Sequence, residues 1–132
     1  PSHVYVYLSY GMHHCVNLVC SPDGEASAVL LRGGQVISGH DDARRRRGNV
    51  PENRLACGPG NMGSALGANL EESGDPVSLI GNGAVPAQGW HLEPAPETAE
   101  FRQGPRVGIS RNTDAPWRWW IPQDPTVSGP RT

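Results

Sequence analysis

Apolar and polar residues alternate near the beginning of the chain, with the period of two that is typical of a half-buried β-strand. One alternating run covers residues 3–9, and a second run covers residues 14–20. Gly11 lies between the two runs, where a tight reversal of the chain requires a positive φ. The pattern therefore predicts a β-hairpin.

The register of this hairpin follows from parity, because directly opposed residues share one face of a strand pair. Aligning the apolar positions of the two runs places Tyr7 opposite Cys15 and Tyr5 opposite Asn17. One face of the hairpin is then apolar. The other face is expected to carry two tyrosines, a cysteine and an asparagine.

The rest of the chain predicts short elements separated by turns. A third strand is expected from Ser27 to Arg32, with an apolar centre at residues 29–31 that is buried on both sides. Helices are expected between Ser38 and Gly48 and from Pro59 onwards, since proline suits the first helical turn. Short strands are predicted at Val77 to Ile80, Trp90 to Leu92, Arg106 to Ser110 and Trp119 to Ile121, and a loop at Pro94 to Thr98.

The composition fits short elements around one core. A chain of 132 residues is long enough for one compact domain, and 17 glycines and 13 prolines beside 36% apolar residues argue against a helical bundle. The predicted fold is a single α+β domain. It consists of a curved antiparallel sheet with short peripheral helices and a protruding aromatic β-hairpin.

Charge is distributed unevenly along the first predicted helix. Asp41 and Asp42 precede the run from Arg44 to Arg47, which complements the helix dipole. The arginines form either a solvated helix face or a contact with a DNA backbone, and both interpretations stay open. A net charge of -2 gives no general attraction to nucleic acid, so DNA binding would require a local surface.

The ends of the chain and its hydropathy bear on its location. No apolar run approaches the roughly 20 residues of a membrane span, and no charged and apolar leader is recognisable. Because the chain opens at Pro1 without methionine, we expect a fragment that lacks an upstream segment. The protein is expected to be monomeric, and cytoplasmic in a bacterium or nuclear in a eukaryote, without membrane partners or secretion.

The segment Tyr5-Val6-Tyr7-Leu8-Ser9-Tyr10-Gly11-Met12, followed by Cys15 and Asn17, resembles the Tyr-x-Tyr-x-x-Tyr-Gly-Met signature of the alkyladenine (3-methyladenine) DNA glycosylase family. Four later segments resemble further family motifs in the same order: residues 29–32, 58–59 with the following helix, 104–108 and 116–118. The resemblance identifies residues 1–132 as the C-terminal part of the glycosylase domain. It implies excision of alkylated or deaminated purines from double-stranded DNA, by flipping the nucleotide and hydrolysing its N-glycosidic bond without a cofactor.

The resemblance assigns five residues to the pocket for the damaged base: Tyr5, Tyr7, Cys15, Asn17 and Leu30. Tyr7 would be a wall on which a purine made cationic by alkylation stacks. Asn17 would exclude the exocyclic amine of guanine. The alternatives are tyrosines that pack a core and an asparagine that serves a neighbouring strand.

The resemblance also assigns DNA contacts to the hairpin tip and to the start of the second helix, at Tyr10, Gly11, Met12, His13, Gly60 and Asn61. Tyr10 would enter the duplex where the flipped nucleotide was, unless it is merely an exposed turn residue. Gly60 and Asn61 would face a phosphate. Family members can carry serine and lysine there, so this chain would contribute less charge.

Catalysis in the family depends on a water molecule, which Arg32 and the main-chain carbonyl of Val107 would help to hold. The general base of the family is a glutamate in a Glu-x-Glu-Ala-Tyr segment, and neither this segment nor the histidine that follows it is present here. Asp23, Glu25, Glu71 and Glu72 are not evident substitutes. The fragment alone is therefore expected to be inactive, and an ordinary ion pair is the alternative role for Arg32.

A metal site formed by the histidines and cysteines is the first alternative to this interpretation. His13, His14, Cys15, Cys20 and Cys57 show no CxxC or HxxxH spacing, and strand parity turns neighbours to opposite faces, so no metal site is expected. The tryptophans at positions 117, 119 and 120 are expected to pack the protein instead of stacking on bases. A non-catalytic nucleic-acid-binding module and a purely structural fragment remain the rival functions.

Overall fold

The computed structural model describes residues 3–22, 24, 27–80, 89–94 and 100–130, and its first two strands form the predicted hairpin. Strand β1 (Val4–Ser9) pairs antiparallel with β2 (His13–Val19), and β3 (Ala28–Leu30) pairs antiparallel with the other edge of β2. The prediction that the centre of the third strand is buried on both sides is wrong. Val29 is 54% exposed because, unlike Val4 on the other edge strand, it does not pack into the core cluster.

Both predicted helices are present. Helix α1 (His40–Arg47) ends at Gly48, whose φ of 84° and N–H bond to the Arg44 carbonyl close the last turn. Helix α2 (Pro59–Leu66) begins with proline at its first position. Single 3₁₀ turns follow each helix, at Glu52–Arg54 and Leu70–Glu72. Neither these nor any other helix within the described ranges is long and apolar enough to cross a membrane.

The later strands form two small pairs instead of extending the first sheet. Strand β4 (Val77–Leu79) is parallel to β5 (Trp90–Leu92), and β6 (Arg102–Gly104) is antiparallel to β7 (Arg118–Trp120). The fold class is α+β, as predicted, with the described strands divided among three sheets.

The predictions for residues 94–98 and 106–110 are not confirmed by the described residues. The strand predicted from Arg106 to Ser110 is wrong, because Pro105 offers no N–H for a ladder and Gly108 takes a φ of 73° that interrupts extended backbone. The loop predicted at residues 94–98 lies outside the described residues except for Pro94.

Two clusters of buried apolar residues hold these elements together. The first lies under the hairpin and contains Val4, Val6, Val16 and Ala68. The second joins the two helices and contains Ala43, Leu55, Ala56 and Ala65. The apolar face predicted for the hairpin is therefore its core face, which leaves the tyrosine face free for another role.

Helix α2 lies directly against the backbone of β2 near the hairpin tip. A Cβ atom at Gly63 would overlap the carbonyl oxygen of His14, so only glycine allows this approach. This contact fixes the position of the tip relative to the start of α2.

Candidate functional site

The predicted pocket residues share one face of the first sheet. Tyr5 pairs with Asn17 and Tyr7 pairs with Cys15, which confirms the register expected from parity. Leu30 pairs with Asn17 on the other side, so Tyr5, Asn17 and Leu30 form one row across the three strands. The two tyrosine rings have centroids 5.7 Å apart at 59°, a tilted aromatic pair. Buried small side chains are thus flanked by aromatic rings.

Asn17 is 7% exposed, and its carboxamide is turned toward the hairpin backbone. Its Nδ2 donates to the Tyr5 carbonyl at 3.3 Å and to the Cys15 carbonyl at 3.5 Å. Both distances are long for N–H···O bonds. These weak bonds are the neighbouring-strand role described above, and they also hold the carboxamide in one orientation on the tyrosine face.

The phenol of Tyr7 is held uncharged by its surroundings. Burial raises the pKa of Tyr7 above its ordinary value, and the neighbouring Cys15 and Tyr5 side chains raise it further. Tyr7 therefore presents a neutral ring beside the buried Cys15 at neutral pH.

The hairpin tip places Tyr10 in solvent in an unfavourable backbone conformation. The Met12 N–H donates to the Ser9 carbonyl across a turn in which Tyr10 has a φ of 53° and Gly11 a φ of 69°. A left-handed conformation costs a non-glycine residue about 1–2 kcal/mol. With 86% of its surface exposed, Tyr10 gains little packing in return, and such strain is often found at functional positions.

The structure brings the hairpin tip together with the start of α2. A Cβ atom at Gly60 would lie 2.8 Å from His13 Nδ1, so the imidazole packs directly on the first turn of the helix. Asn61 lies beside it, but its Nδ2 donates to the Cys57 carbonyl at 2.8 Å. His13, Gly60 and Asn61 thus form one surface, in which part of the donor capacity of Asn61 is already used.

Two guanidinium groups contact the segment at residues 126–130. The sequence predicted a site role for Arg32 but not for Arg118. Arg32 is half-buried, and its Nη2 donates to Ser128 Oγ at 3.1 Å. Arg118 is 4% exposed and donates through Nη2 to the carbonyls of Ser128 at 2.8 Å and Pro130 at 2.7 Å. Its guanidinium also lies 4.3 Å from the centre of the Trp120 ring.

Val107 lies beside Gly129, in the segment that Arg32 and Arg118 also contact. A Cβ atom at Gly129 would lie 3.3 Å from Val107 Cγ2 and 3.2 Å from Arg118 Nη2. The two predicted catalytic residues, Arg32 and Val107, are therefore gathered around residues 128–129. We call Arg32, Val107, Arg118 and Ser128 the arginine centre.

The arginine centre is positively charged and lacks a counter-ion within the described ranges. Burial lowers the pKa of Arg32, and Cys57 opposes that effect; burial also lowers the pKa of Arg118, and the charge of Arg32 lowers it further. Both guanidinium groups stay charged at neutral pH. No carboxylate of the described residues forms an ion pair with either arginine, so the ordinary ion pair considered for Arg32 is absent there.

Glu71 and Glu72, which the sequence does not favour as a general base, lie in the 3₁₀ turn at Leu70–Glu72. Glu72 accepts hydrogen bonds from Trp90 Nε1 at 3.1 Å and from the Asn69 N–H at 3.0 Å, as part of a capping box. Asp23 and Glu25 lie outside the described residues. Among the residues that the structure does describe, no three His, Cys, Asp or Glu side chains cluster in a way that could hold a metal ion.

A family model for methylpurine-DNA glycosylase matches residues 1–125 of the chain, which is nearly its whole length. The chain belongs to the methylpurine-DNA glycosylase family. This agrees with the resemblance carried by the hairpin signature and the four later motifs.

Several bacterial relatives carry the name 3-methyladenine DNA glycosylase. The protein from Cutibacterium acnes is 90% identical over all 132 residues, which cover 69% of that relative. The proteins from Corynebacterium jeikeium and Corynebacterium efficiens are 50% and 49% identical over 99% and 96% of this chain. The chain spans 64% and 62% of these two relatives, less than two thirds of their length.

Within this member of the methylpurine-DNA glycosylase family, sequence reasoning missed Arg118 and Ser128. A signal existed for Arg118, since residues 116–118 match a family motif, but nothing in the motif indicates what the arginine contacts. The tryptophans around it pack against other side chains: Trp120 lies under Arg118, Trp117 under Arg106 and Trp119 against Phe101.

Proposed function

We propose that this glycosylase excises alkylated or deaminated purines from double-stranded DNA, after flipping the damaged nucleotide out of the duplex. The observation that supports this most strongly is the single face shared by Tyr5, Tyr7, Asn17 and Leu30, beside a tip that exposes Tyr10. The opposite, apolar face of the hairpin packs into the core. The tyrosine face, whose buried Asn17 bonds only weakly to the hairpin backbone, is then available for a ligand.

Each pocket residue has a role that its chemistry permits. The neutral ring of Tyr7 stacks on the flipped purine, and a positively charged lesion adds a cation–π attraction of about 0.5–2 kcal/mol. Asn17, held by the hairpin backbone, crowds the exocyclic amine of guanine and so favours lesions that lack it. Cys15 and Leu30 complete the apolar lining.

The arginine centre holds the attacking water in this proposal. Arg32 and the carbonyl of Val107 orient the water, while Arg118 and Ser128 position Arg32 and do not touch the substrate. A guanidinium cannot take up the proton that hydrolysis releases. We propose, from the family resemblance, that the general base is a glutamate that residues 1–132 do not contain, and hydrolysis in a single step without a covalent enzyme intermediate makes the enzyme monofunctional.

The setting of this activity follows from its substrate. Chromosomal DNA lies in the cytoplasm of a bacterial cell, and we propose that the protein acts there as a monomer. No cofactor enters the proposed reaction, because water is the only co-substrate.

The decisive test uses a chimera in which this chain replaces its counterpart in the Cutibacterium acnes relative. Single-turnover assays on duplexes that contain hypoxanthine or a methylated purine are expected to show release of the damaged base, and none from undamaged duplex. Binding that prefers the damaged duplex without any base release would instead favour the non-catalytic module. Equal binding to damaged and undamaged DNA would refute both.

The role of Tyr10 gives a prediction that concerns binding alone. Tyr10→Ala is expected to weaken binding to a duplex with an abasic analogue more than Tyr5→Ala does, because only Tyr10 would replace the flipped nucleotide in the stack. Anisotropy titrations at one fixed salt concentration measure both variants. The exposed Tyr10 side chain contributes little packing, so the thermal unfolding of Tyr10→Ala should match that of the unsubstituted protein. Equal losses of affinity for the two variants would count against an inserted Tyr10.

A further inference from the structure

A cleft of about 530 Å³ lies beside the hairpin tip, between β2 and the two helices. Its polar lining comes from both helices and from the start of β2, and consists of His13, His14, Arg46, Arg47, Asn61 and Ser64. The other lining residues are Met12, Gly60, Gly67 and Ala68, so none of the residues that line it is an aspartate or a glutamate. The cleft is continuous with the tip through Met12 and His13.

The lining of this cleft carries two arginines and no acid, although acids outnumber basic residues in the whole chain. Asp and Glu outnumber Lys and Arg by 13 to 11 overall, and the net charge is -2. Two arginines and two histidines nevertheless meet in one concave surface. A concave surface lined by one sign of charge concentrates the field toward ligands of the opposite sign.

Arg46 is held in the cleft in a way that leaves donors available. Its Nη1 donates to the Ala65 carbonyl at 2.9 Å near the end of α2, and its guanidinium lies against Gly67, where a Cβ atom would be 2.7 Å away. The Arg46 side chain is exposed, and a guanidinium has five N–H donors. The group is therefore fixed by one bond and retains donors that can face an anion.

The arginines of α1 differ in what they face. Arg47 uses Nε and Nη2 on the carbonyls of Leu55 and Arg54. Arg45 pairs with Asp42 at 2.8 Å and does not line the cleft. Of Arg45, Arg46 and Arg47, only the last two line the cleft, so the arginines of α1 do not share one environment.

We propose that this cleft binds backbone phosphates of duplex DNA next to the damaged nucleotide, with Arg46 as the main charged contact. The proposal rests on the proposed function, because the cleft adjoins the tip that would enter the duplex. It extends the DNA interface from the hairpin onto helix α1. His13, His14 and Asn61 contribute hydrogen-bond donors, as side chains that position a protein on DNA commonly do.

The test is the salt dependence of binding, measured by anisotropy with one damaged and one undamaged duplex. Each phosphate contact contributes about 0.9 to the slope of log K against log salt concentration. Arg46→Gln is expected to make the slope shallower by about 0.9 and to weaken both duplexes by the same factor. Arg46→Lys should keep most of the slope, and Arg45→Gln is the matched control that should change nothing.

A second variant keeps the proposal testable if Arg46→Gln fails to fold. Ser64→Glu places a carboxylate in the cleft at an exposed helical position and replaces none of the arginines. It is expected to raise Kd for both duplexes. An unchanged slope in a folded Arg46→Gln protein, or an unchanged Kd in Ser64→Glu, would overturn the proposal.

These outcomes are separate from those that bear on excision. If the unsubstituted protein shows no preference for damaged DNA but Arg46→Gln still reduces the slope, the proposed function fails and the phosphate cleft stands. If the unsubstituted protein prefers damaged DNA but Arg46→Gln leaves the salt slope unchanged, only the proposal of a phosphate-binding cleft is refuted.

Discussion

Residues 1–132 alone are expected to release no damaged base from DNA, whereas the chimera with the Cutibacterium acnes relative is expected to release it. The arginine centre can hold a water molecule, but no carboxylate of the described residues forms an ion pair with its two arginines, and an arginine cannot accept the proton. General-base catalysis typically contributes 10²–10⁴-fold to the rate. We therefore expect the single-turnover rate of the chain alone to be lower by about that factor or more.

Residues 1–132 and the chimera are compared on the same damaged duplex at saturating protein concentration. The measured rates then reflect the chemical step and not a difference in affinity. Anisotropy on that duplex shows whether the chain alone still binds. Equal rates of base release would contradict the assignment of the general base to a residue outside this chain. Asp23 and Glu25, which lie outside the described residues, would then be the next candidates for the general base.

Replacing Gly63 with alanine is expected to lower the free energy of unfolding by about 1–3 kcal/mol. In most helices this change stabilises the protein by roughly 0.5–1 kcal/mol, because glycine is a poor helix former. Here the added Cβ would overlap the carbonyl oxygen of His14, so α2 and β2 must separate. Overpacking of that kind typically costs 1–3 kcal/mol.

Gly60 in the same helix provides the matched control. A Cβ atom there would meet the imidazole of His13, which can rotate away, so Gly60→Ala should change stability by less than Gly63→Ala does. Urea unfolding followed by circular dichroism measures both variants. A Gly63→Ala protein as stable as the unsubstituted chain would show that the close approach of α2 to β2 is not needed.

Local patterns predicted the elements whose determinants lie close together in sequence. The register of the hairpin follows from the alternation of Val4, Val6 and Val16 with the tyrosine-face residues, because a slip of one residue would expose the core. The helix beginning at Pro59 and the helix end at Gly48 follow from backbone restrictions of single residues. These features depend on chemistry that a short window of sequence contains.

The arginine centre could not be predicted from such a window. Arg32 and Ser128 are 96 residues apart, and no periodicity links them. Strand β6 was missed because the apolar residues after Pro105 predicted a strand at 106–110. The strand that pairs with β7 is instead the preceding segment, Arg102–Gly104. The exposure of Val29 was missed because an apolar run does not reveal whether other elements pack on both faces of its strand.

The contact between Arg32 and Ser128 also bears on the order of folding. Closing a loop of 96 residues has a larger entropic cost than forming the hairpin, whose paired residues are near neighbours in sequence. Contacts of such long range generally form late and slow the folding of a domain. The tyrosine face can therefore assemble early, whereas the contact between Arg32 and Ser128 forms only when two segments distant in sequence have met. Under the proposed function, partly folded molecules would present the face that binds the base before the group that holds the water is in place.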